Sequence, residues 1–380
     1  MANGFAPYLL LQGSQIFKQG YDGAKVTPMG FLEWLLSQGT PNIISTAKAD
    51  GTGHVKNVRY SYRQRGVMGK SKTVDSCDID AVSARLEAEI PSTLYRQTSI
   101  FFDDATIAQY EAEASKLINL QTKAVNPGVT SASFNGVMKE VYEIMIEHVN
   151  GLFGDINKDC LDLQASNFGT NVVYASNAAQ TLNFPLSTTS NALNAGLTRL
   201  ITDTRQNQID IKNATIVGSG LIDGLMVQQM NQALGLAQNG VNQSRLALPN
   251  YFYDPTAATS WGANQFAVLE KDAVQFLSVD RYVGSFAGVR GNSSFFNIKL
   301  PIMNSLGGTE LSSVSIDCQF KYIDCPGTQN VDGVPTQLNR GWLLTMSKSY
   351  YAVNKPSDVF SADDVLTGVN GTLRYTATNA

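Results

Sequence analysis

Between Val55 and Arg63 apolar and polar positions alternate one by one. Val58, Tyr60 and Tyr62 fall on one side of an extended chain, with Arg59, Ser61 and Arg63 on the other. A period of two is the signature of a β-strand. The alternation runs from Ile43 to about Ile100, with a bend marked by Gly66 and Gly69. It predicts a long two-stranded ribbon with little core of its own, which is marginal in water unless it lies on something.

Past Ile100 the period lengthens. Asp103 or Asp104 can cap a helix over DDATIAQYEAEASKLINL, with acids in the first turn where the helix dipole favours them. Asn126-Pro127-Gly128 breaks the chain. Then Phe134, Val137, Val141, Ile144, Met145, His148, Leu152, Ile156 and Leu163 recur at three- and four-residue steps. With Ser131 or Ser133 as cap, the pattern predicts one helix over 131–165, on the order of 45 Å long at 1.5 Å per residue. Its length suggests a strut.

Upstream, Pro28 to Leu36 carries a short helical signal closed by Gln38-Gly39-Thr40-Pro41, within an otherwise aperiodic arm. Downstream, helical and strand-like runs alternate. SNALNAGLTRLITDTRQN and LIDGLMVQQMNQAL read as helices, and ATIVG, QFAVLEKDAVQFLSV, SFFNIKLPIM and SSVSIDCQFKYID as strands. GWLLTMSKSYYAV and TLRYTAT read as a closing strand pair, with Tyr350 and Tyr351 as sheet aromatics. The class is α+β.

Composition adds a surface argument. Of 380 residues, 43% are hydrophobic, enough for a real core, but only 16% are charged. Soluble domains usually carry about 25%. A surface poor in charge and rich in neutral polar groups suits burial against other subunits, although many secreted proteins share it. The N-terminus has no cationic region ahead of its short apolar run, so no signal peptide is read there. No run approaches the ~18 apolar residues of a membrane helix. Cys77, Cys160, Cys318 and Cys325 lack metal-like spacing and read as free thiols; a Cys318–Cys325 bridge is the less favoured alternative.

Charge is unevenly placed. Lys48 to Lys72 holds seven cationic residues against Asp50, a net of +6, whereas Thr73 to Ala124 holds nine acids and four bases, a net of −5. Arg and Tyr interleaved on a strand can grip nucleic acid. The sequence pI of about 5.3 and the adjacent acidic block weigh against that. Identical neighbours can pair such blocks head to tail. The candidate contact residues are Arg59, Arg63 and Arg65 against Asp75, Asp78, Asp80, Glu87 and Glu89.

Catalytic signals are weak. Gly218-Ser-Gly220-Leu-Ile-Asp-Gly224 follows a strand and opens a helix, as a dinucleotide-binding turn does, but its spacing is GxGxxxG and Asp223 puts a negative charge in the loop. Tight packing is the better reading. His54 and His148 are the only histidines; His148, on the apolar helix face, reads as a core residue satisfied by a neighbour. No catalytic, cofactor-binding or metal-binding set emerges.

The order of parts resembles the major capsid proteins of tailed double-stranded DNA phages, the fold named after coliphage Hong Kong 97. The resemblance spans about Thr27 to Arg374 and rests on architecture plus FFDDATIAQYEAEASKLI, TRQNQIDIKNATIVGSGLIDGL and QFAVLEKDAVQFLSVDRYVG. It implies an N-terminal arm (1–42), an extended loop (43–100) and a peripheral domain (101–166) with a spine helix (131–165). An axial domain (167–335) and C-terminal strands returning to the peripheral domain (336–380) would follow. It implies no enzyme activity and no cofactor. The expected partners are further copies in pentamers and hexamers, scaffolding, portal and decoration proteins, and packaged DNA held without sequence specificity; no membrane is involved. The location would be the virion, after assembly in the host cytoplasm. Residues 1–26 do not resemble a scaffolding segment. Lys56, Lys70 and Lys72 lie in the loop, yet no motif supports covalent cross-linking. Two alternatives remain: an encapsulin-like cellular compartment of the same fold, and a nucleotide-dependent enzyme using the Gly218 turn.

Overall fold

The computed structural model describes residues 29–38, 43–49, 55–63, 85–89, 94–119, 124–130, 133–184, 190–209, 213–226, 250–281, 286–290, 293–303, 310–323, 327–331, 334–338, 340–355 and 368–379. The first half runs α1 (Gly30–Gln38), β1 (Ile43–Ala49), β2 (Val55–Arg63), β3 (Arg85–Glu89), β4 (Leu94–Asp103), α2 (Asp104–Leu117), the short pair β5 (Ile118–Asn119) and β6 (Ala124–Val125), and α3 (Gly136–Ala165). The second half begins with β7 (Gln180–Asn183), α4 (Ser190–Gln206), β8 (Ala214–Gly218), β9 (Asn250–Tyr253), α5 (Ala257–Trp261), β10 (Gln265–Glu270) and β11 (Val274–Val279). It ends with β12 (Phe286–Arg290), β13 (Ser293–Met303), β14 (Glu310–Ile323), β15 (Gly327–Val331), β16 (Val334–Leu338), β17 (Gly341–Asn354) and β18 (Thr372–Thr378). The mixture is α+β.

Two sheets carry the body. The five-stranded sheet has the order β7-β18-β10-β8-β9, and the six-stranded sheet β11-β17-β14-β13-β12 with β4 paired to β17. GWLLTMSKSYYAV and TLRYTAT are therefore not a pair with each other. β17 joins β4, β11 and β14, whereas β18 lies between β7 and β10. Only the first of the two closing strands thus returns to the sheet built on β4. The stretch 167–335 is likewise divided, with β7 to β10 in one sheet and β11 to β14 in the other.

Alternation along β10 shows how the sheets share a core. Ala267 and Leu269 enter the cluster that holds α1, α3 and the inner face of the six-stranded sheet. Phe266 and Val268 enter a second cluster with Leu200 of α4 and Tyr375 of β18. A strand buried on both faces needs a continuous apolar run, and QFAVLE supplies it.

The ribbon has three strands, in the order β1-β2-β3, where two were expected. The added strand is the acidic RLEAE, Arg85–Glu89. Residues 94–100, expected to belong to the ribbon, instead open β4. Its ten residues pair with β17 from Leu94↔Tyr350 to Asp103↔Gly341. The reason is a clean period of two: Ile100 and Phe102 are buried in the core below α3. Thr98 bonds His148 at 2.7 Å, and Arg96 bonds Asp159.

The long helix α3 covers 30 residues, of which Met138, Val141, Tyr142, Met145, Ile146, Val149, Leu152, Phe153, Ile156 and Leu161 form most of its buried stripe. It begins at Gly136, later than the expected Ser131 or Ser133 cap. The Ser133 hydroxyl is used in the preceding turn, accepting from the Thr130 amide at 3.1 Å. Asn135, at the cap position, makes no side-chain cap bond. The Glu113 carboxylate of α2 takes that role from outside the helix, accepting from the Met138 amide at 2.9 Å. An anion at a helix N-terminus is favourable for both dipole and hydrogen bonding. At α2 itself the cap is Asp103, whose carboxylate accepts from the Thr106 amide at 2.7 Å.

Candidate functional site

The turn after β8 is the nearest thing to a nucleotide loop, and its geometry is that of packing. All five residues of β8 are buried. The chain reverses through Gly220 at φ +69°, a left-handed conformation suited to glycine, and residues 221–226 are helical. A Cβ on Gly218 would stand 2.6 Å from the Cβ of Phe266 and 2.9 Å from Cγ2 of Ile222. Glycine there lets the helix close on β8 and β10. Two amides of the turn are engaged: Leu221 donates to Asn264 Oδ1 at 3.3 Å, and Asp223 to the Gly220 carbonyl at 3.1 Å. Tyr251 donates to Asp223 Oδ1 at 3.0 Å, which fixes the carboxylate beside the turn. An anion would meet a carboxylate beside the turn.

The other reactive groups are similarly occupied. His148 is half-buried and its Nδ1 lies 2.7 Å from the Thr98 hydroxyl, so it is a satisfied core histidine. Cys160 and Cys318 are buried free thiols, and burial pushes both thiols up, away from the reactive thiolate. A free Cys318 excludes the bridge to Cys325. Cys77, Cys325 and His54 lie outside the described residues. Among the described residues no group of three or more metal-ligating side chains comes together, and no helix is long and apolar enough to cross a membrane.

Polar side chains instead bolt elements together. Asp254 is fully buried and accepts from the Phe31 amide at 2.9 Å and from Asn157 Nδ2 at 2.8 Å. Asn157, in α3, accepts in turn from the Leu32 amide at 2.9 Å. One carboxylate and one carboxamide thus fix the first turn of α1 to the strut and to the end of β9. At the outer side of the body Asp159 receives two bonds from Arg96, each 2.6 Å, and one from the Tyr350 hydroxyl. Burial alone would raise the Asp159 carboxyl. The Arg96 and Tyr350 bonds outweigh it and hold the group below the usual carboxylate range. Trp261 Nε1 donates to the Leu161 carbonyl at 3.0 Å, and Arg374 Nη2 to the Trp261 carbonyl at 2.6 Å. The C-terminal half of the strut is therefore tied to both sheets.

The ribbon differs in kind. Its register places Arg59 opposite Glu89 and Ser61 opposite Glu87, so two acids foreseen as contacts for a neighbour stand beside the basic strand of the same chain. Arg59 is exposed, and Ser61 is buried despite lying two positions along the same strand. Two further register pairs are of like charge: Lys48 opposite Lys56, and Arg63 opposite Arg85. Like charges directly across a ladder are destabilising. Arg65, Asp75, Asp78 and Asp80 lie outside the described residues.

Beside the N-terminal part of the strut is a groove of about 400 Å³ between β4, α2 and α3. Ile100, Phe102 and Val141 form its buried floor; Phe101, Val137 and Ile144 are half-buried, and Asp103 and Glu140 are exposed at its margin.

No protein-family profile and no curated protein matches the chain. Solved structures similar to it include the cyanophage A-1(L) capsid asymmetric unit, at TM-score 0.45 and 11% identity over 94% of this chain and 95% of that one. A structure of Mycobacterium phage Cain is similar at TM-score 0.43 and 13% identity over 95% of each chain. The capsid structure of cyanophage P-SCSP1u gives 0.39 and 11%, over 88% and 86%.

Sequence reasoning missed the acidic third strand and the groove. The first had a signal in the alternating charges of RLEAE. The second arises only when β4 is laid under α3, and no local pattern announces it.

Proposed function

We propose that this chain is a structural shell subunit, the major capsid protein of a tailed double-stranded DNA phage, without enzyme activity. Copies associate as pentamers and hexamers into a closed icosahedral shell around the genome. In this reading the six-stranded sheet with α3 is the peripheral part, the five-stranded sheet the axial part, and the ribbon reaches an adjacent copy. Arg59, Arg63 and Arg65 meet acidic groups there.

The observation that carries the reading is the contrast between a densely bolted body and a thin ribbon whose register pairs Lys48 with Lys56 and Arg63 with Arg85. A thin three-stranded ribbon, in a chain with 16% charged residues, is suited to completion by another copy. The order of parts supports the reading too: ribbon, capped helix, 30-residue strut, then the mixed α and β portion.

The test is to recover the protein from expressing cells and examine what sediments with it. Closed particles that enclose, or package on addition of the phage machinery, double-stranded DNA support the proposal. Particles holding one cargo enzyme point to the cellular compartment. NAD and ATP should leave the melting temperature unchanged, because a ligand of the native state would raise stability by ~2.7 kcal/mol at a hundredfold excess over its Kd. A saturable shift would revive the enzyme reading.

A further inference from the structure

We infer that Asn135, at the entry to α3, is a site of spontaneous deamidation, and that the change moves the cap of α3 from Glu113 to residue 135 itself. The inference is independent of the shell reading.

An asparagine at a helix N-cap normally uses its side chain to accept from the amide two or three residues further on. At α3 the Glu113 carboxylate already takes the Met138 amide, at 2.9 Å. The displaced Asn135 carboxamide is exposed and makes no cap bond. Gly136 follows at φ +56°, with no side chain to obstruct attack on its neighbour. Its amide is among the first N–H groups of the helix, which the ladder leaves unpaired. The Asn135 carbonyl accepts from the Lys139 amide at a long 3.4 Å, so little holds the joint against turning.

Two other Asn-Gly pairs show what protection looks like. Asn150-Gly151 lies inside α3, where the Gly151 amide belongs to the helical ladder. Asn370, before Gly371, is 4% exposed; it accepts from the Thr372 amide at 3.0 Å and donates to the Asn167 carbonyl at 2.8 Å.

At Asn135 the Gly136 nitrogen gives up its proton and bonds to Cγ. The Cγ–Nδ2 bond breaks, and ammonia carries the proton away. Water then opens the cyclic imide at either carbonyl. One opening yields aspartate; the other yields isoaspartate, whose main chain runs through Cγ. Nothing is oxidised or reduced. Each product puts a carboxylate where one already stands, since a Cβ on Gly136 would lie 2.9 Å from Glu113 Oε1. Like charges so close repel. Aspartate at position 135 is the local cap, and Glu113 keeps its bond from Gln109 Nε2, at 3.4 Å. The tie from α2 to the head of α3 is thereby released.

The test is peptide mapping of the folded protein after incubation in mildly alkaline buffer. Cleavage at Lys123 and Lys139 gives peptide 124–139, whose other asparagine, Asn126, precedes Pro127 and so lacks the amide proton the reaction needs. This peptide should gain the mass of an amide-to-acid conversion and become a substrate for isoaspartate methylation. The peptides carrying Asn150 and Asn370 should stay unchanged over the same interval. In urea the three sites should converge, because the fold alone sets them apart. An unmodified 124–139 peptide, or equal rates at the three sites in the folded protein, overturns the assignment. Glu113→Ala tests the exchange of caps. It should lower the unfolding midpoint of the unmodified chain, and by roughly half as much or less in the Asn135→Asp background. An equal loss in both backgrounds overturns the exchange.

Discussion

The strut and the ribbon are both long, and each carries an excess of one charge, yet they solve the problem of extension in opposite ways. The strut places six acids and two lysines between Gly136 and Ala165, nearly all on its outer side, and covers the opposite stripe with both sheets and α1. Its stability is intramolecular. The ribbon's register pairs Lys48 with Lys56 and Arg63 with Arg85, beside the opposite-charge pair Arg59 and Glu89. On the proposed reading its stability is conditional on a neighbour. On the proposed reading, buried polar networks fold the body and the ribbon serves assembly. Substitutions in the body should change stability; substitutions in the ribbon should change association.

The largest effect that would break the comparison lies in the shared core. Phe320 stacks on Trp342 with ring centroids 4.6 Å apart, and Phe320 is fully buried. Phe320→Ala should cost about 3–5 kcal/mol, seen as a lower unfolding midpoint before any effect on assembly. Next is the knot at α1. Asp254→Ala removes the acceptor shared by Phe31 and Asn157 and leaves buried donors unpaired, for a loss of about 3 kcal/mol. If Asp254→Ala melts like the unmodified protein, α1 is not bolted to the strut as described.

Smaller again is the Arg96–Asp159–Tyr350 contact at the sheet's outer edge. Arg96 is about half exposed, with 46% of its side-chain surface accessible, so solvent screening limits Asp159→Asn to roughly 1 kcal/mol. Its pH dependence has a definite sign. The folded Asp159 carboxyl lies below the unfolded value of about 3.9. The stabilisation is therefore present above pH ~4 and is lost as pH falls through the folded pKa. Urea midpoints at pH 7 and near pH 3 should differ less for Asp159→Asn than for the unmodified chain. An equal difference would show that Asp159 titrates without regard to Arg96.

The smallest effect on stability belongs to the ribbon. Arg59→Gln removes a charge opposite Glu89 and should shift the subunit's stability by no more than ~1 kcal/mol. It should nonetheless weaken assembly and make it less sensitive to salt, since the lost pair no longer contributes an attraction that is screened over ~8–10 Å. Tested by light scattering across a salt series, an unchanged salt response would remove Arg59 from the contact.

Much of the body was legible in sequence. The strut announced itself through Val141, Met145, Leu152 and Ile156, because a 3.6-residue period sustained over many turns fits a helix and no extended structure. ATIVG and QFAVLE were readable as buried strands because short, unbroken apolar runs suit a sheet covered on both faces. Sheet membership was not. Nothing local in TLRYTAT says that it inserts between β7 and β10 instead of pairing with GWLLTMSKSYYAV. Pairing is decided by which faces remain uncovered after the chain collapses. The cap of α3 was misplaced because Glu113, 25 residues away in sequence from Met138, supplies the carboxylate. At the ribbon, composition exposed the charge asymmetry, but only register reveals that Glu89 stands against Arg59 and Arg85 against Arg63.

The central claim is that the chain folds by itself and is completed by its own copies. Sedimentation velocity of purified protein across a range of salt concentrations tests it most directly. The account predicts folded single subunits at high salt and a discrete, very large closed particle at low salt, with oligomers of five and six as the only substantial intermediates. A folded chain that sediments as a single subunit at every salt concentration would contradict it.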